Sequence, residues 1–147
     1  MGTGSMSDPE VPMEAMVTAV NTVAGGAAAE CNAGFLRDDA PLVVVFVTDE
    51  DDAEGDSSGT PQGWKQGLAA AKGGDADRIA VLGLFGDNDQ PSAICEPLGD
   101  SAGAESSERL GEFVGLFDDR GLRSSVCADH YGDAFADLLD VLDSMCQ

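Results

Sequence analysis

Six of the eight residues from Asp49 to Asp56 are acids. They follow directly on the apolar run Pro41-Leu42-Val43-Val44-Val45-Phe46-Val47, with Thr48 between. Carboxylates and a hydroxyl packed this closely make an oxygen-rich site for a hard cation such as Mg²⁺ or Ca²⁺. A cation would also relieve the mutual repulsion of neighbouring carboxylates. A bare acid run can equally be a solvated loop. Asp49 stands apart, because it follows the apolar run at once and its side chain is set by that element. A second acidic spot, Gly86-Asp87-Asn88-Asp89, could add ligands or make a turn; these residue types favour the turn.

The remaining reactive side chains are few. Cys31, Cys95, Cys127 and Cys146 are widely spaced with no Cys-x-x-Cys pair, and His130 is the single histidine, so zinc sites of Cys or Cys–His type are poor fits. Four cysteines allow three disulfide connectivities or stay as thiols. Cys95 follows the second apolar run and Cys127 ends the third, which makes a Cys95–Cys127 bridge sensible across neighbouring strand ends. Cys31 and Cys146 end helices at the opposite edge, where they could pair with each other or with another segment. No Gly-x-Ser-x-Gly elbow exists for His130 to serve, and no Gly-rich phosphate loop follows a strand.

The elements that must position these groups read as follows. Residues 10–30 form a helix, with Val11, Met13, Met16, Val17, Val20 and Val23 on a broad apolar face. Residues 42–47 form a continuous β-branched strand, expected to be buried on both faces. Residues 53–61 are a polar loop and 62–72 a helix carrying Trp64, Leu68 and Ala71. Residues 78–85 form a second buried strand, followed by a long loop. Residues 106–119 form a helix with Leu110, Phe113, Val114, Leu116 and Phe117 inward and Ser106 or Ser107 at its cap. Residues 122–126 are a short strand, and 131–146 a helix with Phe135, Leu138, Leu139, Leu142 and Met145 inward. Alternation of this kind predicts an α/β domain, a Rossmann-like parallel sheet with right-handed crossovers and helices on both faces. Three strands are few against the usual 4–6 or so. Either a further strand hides in a loop, or something outside the chain completes the sheet.

Length and charge bound the rest. A chain of 147 residues predicts one domain over 1–147, with residues 1–9 flexible. Acids number 28 and bases 7, a net charge of −21. That excludes phosphate-tracking nucleic-acid binding and disfavours anionic lipid. Cations and basic protein surfaces are the natural partners. No apolar run is long enough to span a bilayer, and Met1 to Pro12 lacks the basic and apolar regions of a signal peptide.

The run from Asn32 to Leu42, the strand Val43 to Val47 and the segment Thr48-Asp49-Glu50-Asp51-Asp52 together resemble a von Willebrand factor type A domain of bacterial secreted or lipoprotein type. Cys127-Ala128-Asp129 before a last helix ending in Asp143-Ser144-Met145-Cys146 is similar to the same group. The resemblance implies a doubly wound fold, a non-enzymatic adhesion module binding a protein ligand, and an extracytoplasmic setting. It implies a Mg²⁺ or Ca²⁺ site at the strand ends, in which Asp49 matches the family's late Asp, Thr3 its Thr, and Asp51 stands beside them. The family's Asp-x-Ser-x-Ser loop is absent, so the chain looks like the later two-thirds of such a domain, with its metal site partial. Two other functions compete. Asp49-Glu50-Asp51 is similar to the Asp-x-Asp of Mg-dependent phosphatases of haloacid-dehalogenase type, with Asp49 as nucleophile. Alternatively, the chain is a structural unit that pairs through an open sheet edge with a partner strand or with itself.

Overall fold

The structure is a computed structural model, which describes residues 9–22, 34–99 and 102–146. Thr3, Cys31, residues 1–8 of the expected flexible start and the later part of the expected first helix lie outside the described residues. The order is α1 (Pro12–Thr22), β1 (Leu42–Val47), α2 (Pro61–Ala71), β2 (Ile79–Phe85), α3 (Glu108–Gly115), β3 (Gly121–Ser125) and α4 (Gly132–Met145). This is an α/β architecture around a three-stranded sheet of order β1-β2-β3, with both pairs parallel.

Leu42, Val44 and Phe46 pair with Ile79, Val81 and Gly83 and point to one face. There they meet Met13 and Val20 of α1, Trp64 and Leu68 of α2, and Leu110, Phe113 and Val114 of α3. Phe46 stacks on Phe85 with ring centroids 5.7 Å apart and planes 4° from parallel. Gly83 makes room for that pair: a Cβ there would fall 2.6 Å from the Phe46 ring and 2.4 Å from the Phe85 ring. On the opposite face Ala80, Leu82 and Leu84 of β2 pack with Leu138 of α4. Every residue of β2 is buried, as a central parallel strand requires.

Three expectations need correction. β1 is not buried on both faces: Val43, Val45 and Val47 alternate with the core residues and are 38%, 43% and 57% exposed. Three helices cover the first face, but on the second α4 packs over β2 and β3, and no described element covers β1. For the same reason Phe135 and Leu139 of α4 do not point into the core; they are 42% and 62% exposed. The third helix is also shorter than 106–119. It ends at Gly115, and the chain turns through a 3-10 segment at Asp118–Arg120, with Asp118 at φ 53°. The turn brings Gly121 against the Val114 carbonyl, where a Cβ would sit 2.0 Å from the oxygen, so only glycine fits at the start of β3.

Candidate functional site

Asp49, Asp51 and Asp52 all lie just beyond the carboxyl end of β1, but they face different ways. Asp49 is exposed. Its carbonyl accepts the Glu105 N–H at 2.8 Å, which ties the β1 end to the loop before α3. The Asp51 carboxylate accepts the N–H groups of Arg109 and Leu110, each at 3.2 Å, and its own N–H donates to the Glu105 carboxylate. Asp51 therefore caps the first turn of α3, where unpaired amides and the helix dipole favour a negative charge. Ser107 occupies the N-cap position but makes no side-chain capping bond. Asp52 is fully buried and accepts the Met13 N–H at 2.9 Å, in the first turn of α1. Its other oxygen has no hydrogen-bond partner and faces the Arg109 guanidinium at 3.9 Å. Arg109 donates to the Asp52 and Gly59 carbonyls and lies over the Trp64 ring, 4.9 Å from its centroid.

Around this junction three more acids gather. The Thr48 hydroxyl lies 2.6 Å from the Glu10 carboxylate and accepts the Glu50 N–H at 3.2 Å. Burial pushes the Glu50 carboxyl above its ordinary range; the Glu10 N–H opposes this, and the charges of Glu10, Glu105 and Asp49 reinforce it.

The second acidic spot is a turn, closed by the Gln90 N–H on the Asp87 carbonyl at 2.7 Å. The buried Asp87 carboxylate accepts the N–H groups of Ile94 and Cys95, both at 3.0 Å. Burial opposes its ionisation, but these two amides and Ser125 outweigh it and hold the carboxyl below its ordinary range. Asp87 so presents Cys95 to Cys127, and the two form a disulfide with Cα atoms 5.3 Å apart. Cys146 is an exposed thiol at the end of α4. His130 is exposed in the loop before α4.

Of the expected metal ligands, Asp51 is taken up by structural contacts, and Thr3 lies outside the described residues. Among the described residues no group of three or more His, Cys, Asp or Glu side chains is arranged to hold an ion. The oxygens of Asp51 are engaged by backbone amides, and Asp52 faces an arginine. Glu10, Glu105 and Arg109 organise this rim and were not singled out from the sequence. Their contacts span 38 to 58 positions of the chain, and no local pattern signals them.

A different surface remains without a structural task. β1 lies at one end of the sheet, and among the described residues its outer edge pairs with nothing. The valine stripe beside that edge is covered by no described element. Each of the seven basic side chains has a partner within the chain. Arg37, Arg120 and Arg123 pair with Asp39, Asp77 and Asp89, while Arg109 lies against Asp52. Lys65, Lys72 and Arg78 donate to main-chain carbonyls. No family model matches the chain, and no curated protein or solved structure matches it either.

Proposed function

We propose that this chain is a non-enzymatic binding module whose contact surface is β1, its unpaired edge together with its outer face. The observation that carries this reading is the exposure of Val43, Val45 and Val47 on an edge strand. An uncovered apolar stripe beside unsatisfied main-chain donors and acceptors is a template for a partner chain. The reading keeps the adhesion-module character implied by the von Willebrand A resemblance and moves the contact from the acidic rim to the strand. An extracytoplasmic setting belongs to the same proposal. The Cys95–Cys127 disulfide supports it, since such bonds persist in oxidising compartments.

The test is the solvent accessibility of the stripe. Nile red, a neutral apolar dye, should fluoresce on binding the folded chain and lose that signal with V43T/V45T/V47T. Each Val→Thr change keeps the β-branched shape and should cost less than about 0.5 kcal/mol at an exposed site. A cost of several kcal/mol, or dye binding that ignores the substitutions, would mean the valines are covered in solution, and the reading would fall.

A further inference from the structure

We infer that the occupant of this surface is a cationic amphipathic helix from a partner protein, lying over β1 alongside α4. The inference rests on the binding-module reading and adds the partner's shape and charge. The shape comes from the sheet. Val43, Val45 and Val47 are in register with Ala80, Leu82 and Leu84, so all six point to the face that α4 covers over β2. Among the described residues the uncovered strip is therefore about one helix wide and sits beside an existing helix. On α4, Phe135 and Leu139 lie on one flank of the buried Leu138, while Ala134 and Val141 on the other flank are packed. Given the right hand of β–α–β crossovers, the Phe135–Leu139 flank of α4 turns toward β1. The bare strip thus has a valine floor and an apolar wall, the form that takes an amphipathic helix.

The charge comes from the surroundings. Residues 124–147 contain five aspartates and no lysine or arginine. Asp140 and Asp143 on the outer side of α4 are exposed, and Asp49 is exposed at the end of β1. Arg37, Lys72 and Arg78 gather at residues 37–40, before the amino end of β1, so the acidic surroundings are those of α4 and of the carboxyl end of β1. A second copy would itself carry a net charge of −21. A helix with an apolar stripe flanked by Lys or Arg satisfies both the floor and the rim.

The probe is a synthetic Leu/Lys peptide of about 14 residues, long enough as a helix to cover the six-residue strand. Its Leu residues fall at helical spacing. One control has Glu for every Lys; another has the same composition in scrambled order. Titration calorimetry at about 0.15 M salt, where surface attraction is screened, should show saturable 1:1 binding of the Leu/Lys peptide with a gain of helix by circular dichroism. V45T/V47T and, separately, L139S should each weaken it about tenfold or more. Equal binding of either control, binding without helix gain, indifference to these substitutions, or no binding would overturn the inference. So would a dimer by ultracentrifugation that V45T/V47T dissociates, since the occupant would then be a second copy. The Nile red result separates the two levels. If the stripe is dye-accessible and the peptide arm fails, the partner chemistry is wrong and the surface stands; if the dye arm fails, both fall.

Discussion

The buried carboxylate of Asp52 accepts the N–H of Met13 at 2.9 Å, joining residues 39 positions apart. One acid from the run after β1 thereby anchors the start of α1, and its neighbour Asp51 anchors the start of α3. Replacing Asp52 by Ala removes a cap and leaves Arg109 without its acidic neighbour. The expected loss is about 2–4 kcal/mol in urea unfolding. Asp52→Asn keeps an acceptor for Met13 and should lose less.

The two possible caps of α3 can be told apart. Asp51→Ala should cost about 1 kcal/mol, the usual effect of losing a helix cap. Ser107→Ala should cost less than about 0.5 kcal/mol from capping, because the Ser107 hydroxyl lies 3.4 Å from the Glu105 carbonyl and receives no helix amide. Denaturant midpoints of the two variants measure the difference.

Gly83→Ala is expected to destabilise by about 1–3 kcal/mol through overpacking, since the added methyl meets the Phe46 and Phe85 rings. Combining it with Phe46→Leu should recover part of the loss, a coupling visible in a double-mutant cycle.

Two carboxyls give opposite pH signatures. Asp87 is held below its ordinary range, so its contribution is present above the unfolded-state value and is lost as pH falls through the folded-state value. Glu50 is pushed up, so its ionisation works against folding; that penalty grows as pH rises from the ordinary value through the raised one. Glu50→Gln should therefore raise the thermal midpoint at neutral pH and leave it unchanged below the ordinary carboxylate range. Asp87→Asn should lower the midpoint at neutral pH, with the deficit narrowing in acid.

The Cys95–Cys127 bridge spans 32 positions. Loop-closure entropy gives it about 3–4 kcal/mol. Cys127→Ser, or reduction of the native chain, should lower unfolding stability by that order, and Cys146→Ser should not. Asp87 holds the Ile94 and Cys95 amides by hydrogen bonds that do not involve the sulfurs, so the reduced chain should remain folded at room temperature.

The elements were legible from local pattern. The apolar runs at 42–47 and 78–85 are strands, the periodic segments at 62–72 and 131–146 are helices, and their alternation dictates a parallel sheet. Such features follow from side-chain period and β-branching, which act within a few residues. The sequence also placed Cys95 and Cys127 at neighbouring strand ends. It did not determine the roles of the acid run. Read locally, Asp49 to Asp52 is a uniform patch of charge. Tertiary contacts divide it, because Asp51 meets the unpaired amides of α3, Asp52 meets those of α1, and Asp49 is left in solvent. Nor could the run of valines in β1 disclose that no described element covers one of its faces. A continuous apolar strand looks the same whether one helix layer covers it or two. Burial is decided by how many elements stack on each face of the sheet, a property of the assembled chain rather than of any segment within it.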